Sequence, residues 1–221
     1  MKKIMLLVGA ALMGLTMNAQ RFDLGANFML GLPMGDYGIG DSESKTPFAP
    51  GLGLGGGIEA NYWFNDNISA GLEVGFISFG EEEVREDGQV AMSSGQVIPI
   101  ILKGEYHFLE GAFRPFAGIG VGYGIMSRSM EQNVFGSTLK ATWDQNGLII
   151  SPRVGALYQV SDMLAINLSH QYNLMMNEVD GDWDPTIEYD GPGEIEFDQD
   201  AQFDVTNYLG VNIGVLFTLF E

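Results

Sequence analysis

Cysteine is absent from all 221 residues, so no disulfide braces the fold and no thiolate is available to hold a metal. Basic side chains are scarce: 10 Lys and Arg stand against 29 Asp and Glu, a formal charge of −19. That balance excludes a nucleic-acid binder, whose phosphate contacts are made by Lys and Arg. Beyond the first nineteen residues no apolar run approaches the ~18 residues of a membrane helix. Helical periodicity is nowhere competitive either. The one long apolar stretch comes first. MKKIMLLVGAALMGLTMNA sets two lysines before an apolar core from Ile4 to Leu15 and ends on the small Ala19. This is the pattern of a secretory signal, residues 1–19, cut before Gln20; that residue is not Cys, so a lipoprotein anchor is not expected. Loss of Lys2 and Lys3 leaves the remaining chain, 20–221, more acidic still.

What the chain has in quantity is alternation. Eight segments repeat apolar residues at every second position: about 22–32, 51–64, 68–79, 96–108, 114–126, 147–160, 164–176 and 203–220. Phe22, Leu24, Ala26, Phe28 and Leu30 share one face of the first; Leu209, Val211, Ile213, Val215, Phe217 and Leu219 share one face of the last. Each segment reaches the roughly 9–11 residues of a tilted membrane strand. Short turns at Asn65–Asn67, Leu109–Phe113 and Ser161–Met163 alternate with long polar excursions at 33–50, 80–95, 127–146 and 177–202. Short then long, repeated, is the signature of an up-and-down antiparallel meander, all-β, with both termini on the short-turn side.

A soluble carrier barrel would alternate too, with its apolar face inside. The second face decides between the two. It holds glycines (Gly53, Gly55, Gly57, Gly71, Gly75, Gly118, Gly120, Gly122, Gly124) and asparagines (Asn27, Asn61, Asn167, Asn173, Asn212) with few charges. A surface facing water is dense in Lys and Glu; a narrow lumen needs small and polar groups. Aromatics near strand ends, Tyr62, Trp63, Phe64, Tyr106, Phe108, Tyr158 and Tyr172, suit interfacial girdles. The expected fold is an eight-stranded transmembrane β-barrel.

With that pattern in place, the chain resembles the small OmpA/OmpX-like outer-membrane β-barrels of Gram-negative bacteria. The resemblance spans essentially the whole chain after the signal. Its closest approach to a motif is the ending NIGVLFTLFE, with Asn212, Gly214, Phe217 and Leu219 in the places of an assembly signal, although the chain closes on Phe220–Glu221 rather than on an aromatic residue. The resemblance implies insertion by the barrel-assembly machinery, contact with outer-membrane lipid and lipopolysaccharide, periplasmic termini, and adhesion or defence through protruding strands. The chain ends with the eighth segment, so no added periplasmic domain is expected.

In VIPIILKGEYHF, Lys103 and Glu105 share the face opposite Ile98, Ile100, Leu102, Tyr106 and Phe108. If the apolar face meets lipid, the charges point inward, and the same parity sends Glu59, Glu73 and Arg153 inward as well. The glycines from Gly118 to Gly124 leave room for the long side chains of Lys103 and Arg153. An internal ion-pair cluster of Glu59, Glu73, Lys103, Glu105 and Arg153 is therefore expected, acting as a plug or as the gate of a narrow, porin-like pore.

Other chemistry finds less support. His170 lies between Leu168 and Tyr172, and the serine that a lipid A deacylase resemblance requires two residues on is absent. Pro99 and Pro152 each remove a ladder hydrogen bond, as at the lipid entry of the palmitoyltransferase barrels that strand prolines resemble; a charged lumen does not suit an acyl chain. In DGDWDPTIEYDG, around Trp183, Asp180, Asp182, Asp184 and Glu188 take positions one, three, five and nine of a calcium loop. Pro185 and Gly191 occupy positions six and twelve, where an EF-hand needs Gly and Glu, so only weak Ca²⁺ or Mg²⁺ coordination is in reach, and no other cofactor is implied. EIEFDQDAQF alternates again and reads either as an extracellular strand, 194–203, open to a protein partner, or as part of a long flexible loop. EEEVRED at 81–87 reads as a solvated charge run, and the GxG repeats at 51–57 and 118–124 open no helix, so no phosphate loop is present.

Overall fold

Alternating strands have two dissimilar faces, and a sheet of them has two open edges that only closure removes. In the computed structural model, which describes residues 21–34, 51–86, 89–134, 137–144, 146–177, 186–189 and 205–220, the strands close. They are β1 (Arg21–Met34), β2 (Gly53–Trp63), β3 (Ile68–Glu86), β4 (Gln89–His107), β5 (Phe113–Val134), β6 (Ser137–Asp144), β7 (Gly147–Ser161), β8 (Leu164–Asn177), β9 (Thr186–Tyr189) and β10 (Val205–Phe220). Pairing runs β1 to β5 in chain order, then through β7, β8 and β10, and β10 returns to β1. The ring has eight antiparallel strands. Its seam is long and regular, from Phe22 opposite Phe220 to Met34 opposite Asn207, with one register shift at Phe22 and Asp23.

The outward face is apolar to a degree that water would not tolerate. Ile58 is 66% exposed, Leu102 65%, Ile119 and Val154 56%, and Ile213 54%. Contiguous exposure of that kind marks a surface made for another apolar phase, here lipid. Among the described residues no helix is long and apolar enough to cross a membrane.

At the short-turn mouth the connections are built locally. Asn65 Oδ1 accepts the backbone N–H groups of Asn67 and Ile68 at 2.9 and 2.8 Å, closing the β2–β3 turn. Gly111 takes φ +100°, a left-handed conformation that favours glycine, and its carbonyl accepts from Arg114 Nε at 2.8 Å.

The opposite mouth departs from expectation. The excursions at 80–95 and 127–146 are largely paired rather than irregular. β3 runs on past Phe79 to Glu86, opposite Gln89, and β5 continues to Val134, opposite Ser137 of β6. β6 in turn pairs with β9, Leu139 opposite Tyr189. Backbone pairing does not depend on side-chain polarity, and Asp87–Gly88, all that separates β3 from β4, is a dipeptide suited to a two-residue hairpin. The described residues of 80–95 and 127–146 that read as loop are strand residues of these pairings.

Both prolines interrupt a ladder. Around Pro99 the β3–β4 register passes from Val74–Ile100 to Ile77–Val97, and around Pro152 the β7–β8 register passes from Ile150–Leu174 to Arg153–Gln171. Gly122 meets a different demand: a Cβ there would overlap the carbonyl of Ile100, so only glycine lets β4 and β5 approach so closely. Replacing Ile213 with Arg is expected to cost about 2–4 kcal/mol of membrane stability, the figure for a cation against lipid near the midplane. Urea unfolding of vesicle-inserted protein measures it, and an unchanged midpoint would contradict the assigned outer face.

Candidate functional site: the charged interior

β2 and β3 place Glu59 directly opposite Glu73, a like-charge pair that a sheet would normally avoid. Lys103 on β4 resolves it. Its ammonium donates to Glu59 Oε2 and lies 3.8 Å from Glu73 Oε2 and 3.4 Å from Glu105 Oε1. From across the barrel, Arg153 on β7 donates to Glu73 through Nη1 at 3.0 Å and sets Nε 3.1 Å from Glu105. The structure thus brings together all five of the expected residues, each less than 10% exposed. Asn61 and Asn167 also donate to Glu59, at 3.2 and 3.4 Å.

Missing side chains make the room. A Cβ on Gly71 would stand 3.0 Å from Lys103 Cε, and one on Gly118 would stand 2.9 Å from Glu105 Cγ. Three carboxylates and two fixed cations leave one negative charge over. His107 Nε2, 3.7 Å from Glu105 Oε2, is the neighbour best placed to offset it when protonated. Ser69 Oγ lies 3.4 Å from the same nitrogen.

A second polar knot, unnoticed in the sequence, closes the short-turn mouth. Asp23 accepts from Arg21 Nε at 2.7 Å, from Trp63 Nε1 at 2.8 Å and from Thr218 Oγ1 at 2.8 Å. Arg21 also donates to Gln159 at 3.0 Å, and its guanidinium lies 5.2 Å over the Trp63 ring. Trp63 therefore corrects the girdle assignment: it is 3% exposed and points inward. It shares the parity of Glu59 and Asn61, and an indole N–H taken from water needs an acceptor, which Asp23 supplies. Arg21 and Asp23 have the parity of Asn27; Asp23 already lay within the first segment, and extending that segment by one residue would have added Arg21.

The third layer is apolar. Toward the long-hairpin mouth Met29, Ile77, Phe79, Ile101, Met175 and Tyr208 are all buried, with the Phe79 and Tyr208 rings edge to face at 5.6 Å. Small and polar groups are thus joined in the lumen by large apolar ones. The signal was doubled apolar residues, Ile100–Ile101, Leu148–Ile149–Ile150 and Leu174–Met175–Met176, which furnish both faces of a strand at once.

His170 is exposed on the lipid side, opposite Val154 and Val211, and outside the interior cluster. Asp180, Asp182 and Asp184 lie outside the described residues, as do the strand expected at 194–203 and the signal segment; Glu188 falls in β9, opposite Lys140 of β6. Among the described residues no group of three or more His, Asp or Glu is arranged to hold a metal ion.

The model of the outer membrane protein beta-barrel domain matches residues 7–190. This chain belongs to that family. It is a small outer-membrane β-barrel of the Gram-negative envelope, with ion pairs buried inside. It is 31% identical over 104 residues to an uncharacterized outer-membrane protein, y4mB, of Sinorhizobium fredii; the match covers 47% of this chain and 41% of that relative's length. Among solved structures it resembles OprG of Pseudomonas aeruginosa, at 16% identity and TM-score 0.54, covering 92% of this chain and 98% of the other. A major outer membrane protein of Thermus thermophilus gives 14% identity and TM-score 0.49, covering 90% and 99%. The likeness to OprG concerns the fold alone.

Arg153→Leu is expected to destabilise the family member by about 3–5 kcal/mol, because Glu73 and Glu105 lose their partner while buried. Adding Glu73→Leu should recover part of the loss. Unfolding in detergent or vesicles measures both; a single variant as stable as the parent would show the charges to be solvated.

Proposed function

We propose that the protein is a plugged barrel, a structural anchor in the outer membrane that presents its acidic outer hairpins to a partner. The observation that carries this reading is the filled lumen: a polar knot, an ion cluster and an apolar layer follow one another along the axis. Eight strands enclose an interior that side chains can fill, whereas an aqueous channel normally takes about 16. With transport and catalysis unsupported in the interior, the work falls to what projects from the membrane. There β3, β4, β5, β6 and β9 extend as one continuous sheet.

The segment 177–202 adds Asp180, Asp182, Asp184, Glu188, Glu194, Glu196, Asp198 and Asp200, so a partner there would present a basic surface or be bridged by divalent cations. An enzyme acting on envelope lipid finds no support in His170, which faces lipid between valines without a serine or carboxylate beside it by register. Two results test the reading. Purified protein in planar bilayers should give no discrete conductance steps, and deletion of 180–200 should leave a folded barrel while abolishing cell attachment to a positively charged surface. Steady channel currents, or attachment undiminished by the deletion, would overturn it.

A further inference from the structure

We infer that the short-turn mouth holds a seat for a free carboxylate carried by a short periplasmic peptide. Two guanidinium groups meet there over one indole, Arg21 at 5.2 Å and Arg114 at 5.6 Å from the centre of the Trp63 ring. The His107 ring packs on the same indole at 4.4 Å. Each arginine is fixed at one end and open at the other. Arg21 gives Nε to Asp23 at 2.7 Å and Nη1 to Gln159 at 3.0 Å, and the Gln159 amide is itself held by donating to the Ser161 carbonyl at 2.6 Å. Arg21 Nη2 is buried and donates to nothing. Arg114 donates from Nε to the Gly111 carbonyl at 2.8 Å, and among the described residues no carboxylate pairs with its guanidinium.

Charge sets this knot apart from the ion cluster. There Glu59, Glu73 and Glu105 outnumber Lys103 and Arg153; here two guanidinium groups share Asp23 alone. A buried Nη2 without an acceptor is a cost that folded proteins rarely leave unmet. The planar fork of an arginine fits a carboxylate, which accepts two parallel N–H bonds from it. Arg114 is only half-buried, so a ligand can reach it from outside the barrel.

The rim narrows the choice of ligand. Asp66, Glu110 and Asp162 stand exposed, one on each of the three short turns. Acids around the opening repel a polyanion and favour a carboxylate that arrives with an ammonium group beside it. A short peptide with free amine and carboxylate groups has that character, whether it diffuses freely or is borne by the cell wall. The seat lies at the mouth opposite the acidic hairpins, so its failure would leave the plugged-anchor reading untouched.

The full protein in micelles of a neutral maltoside detergent, titrated with the peptide Ala-Glu-Lys and with its amidated counterpart Ala-Gln-Lys-amide, provides the test. The Trp63 indole N–H and the backbone amides of Gly111 and Arg114 should shift and saturate with the first peptide and stay in place with the second. Arg114→Gln should weaken binding about tenfold, the size of one charge-assisted hydrogen-bonded contact. Arg114→Lys, which keeps the charge and loses the fork, should fall between. If Arg114→Gln fails to fold, the two peptides compared on the parent protein carry the same test. Co-sedimentation with purified cell-wall sacculi identifies the source: retention that Arg114→Gln abolishes assigns the peptide to the wall, and retention of the soluble peptide alone assigns it to a free one. Equal shifts with the amidated peptide, undiminished binding in a folded Arg114→Gln protein, or no shift at millimolar Ala-Glu-Lys would each overturn the proposal.

Discussion

A carboxylate sealed away from water must meet a cation or lose its charge, and three of them, Glu59, Glu73 and Glu105, occupy the middle of this barrel. Lys103 and Arg153 reach them from β4 and β7, and the contacts of Lys103 with Glu59 on β2 and of Arg153 with Glu73 and Glu105 tie together strands that share no backbone ladder. Arg153 to Glu73 joins β7 to β3 across the lumen. A closed ring needs such spokes to hold its cross-section. The wall then excludes water, which in turn strengthens the pairs inside it.

One parity governs both surfaces. Because side chains alternate along a strand, the register that turns Lys103 inward also turns Leu102 to lipid, and a slip of one residue would exchange them. On either side the penalty is large, for an ion against hydrocarbon outside or isolated inside. Lipid and ion cluster therefore select the same register. At the short-turn end Asp23 adds a check of its own, since its three donors come from β1, β2 and β10 and so span the closing seam.

The barrel was legible because period-two alternation is a local property, and it survives in segments such as Phe22–Leu30 and Leu209–Leu219 without knowledge of their neighbours. The ion cluster was legible for the same reason: parity alone aimed Glu59, Glu73, Lys103, Glu105 and Arg153 inward. What stayed hidden depends on neighbours. Trp63 looked like a girdle residue until Asp23, forty residues away, supplied an acceptor for its indole. The apolar plug was masked because Ile101 and Met175 sit beside outward apolar residues and blurred the alternation. The outer hairpins read as loop because polarity was taken for irregularity, whereas Glu82 to Glu86 pair with Ser93 to Gln89 through the backbone.

The central claim, that the interior charges are held by one another rather than by water, is tested most directly by a double-mutant cycle on Glu59→Gln and Lys103→Met in vesicle-inserted protein. Each single change is expected to cost about 3 kcal/mol or more, and the double change far less than their sum. Strictly additive losses would contradict the account, since they would mean that carboxylate and ammonium do not depend on each other.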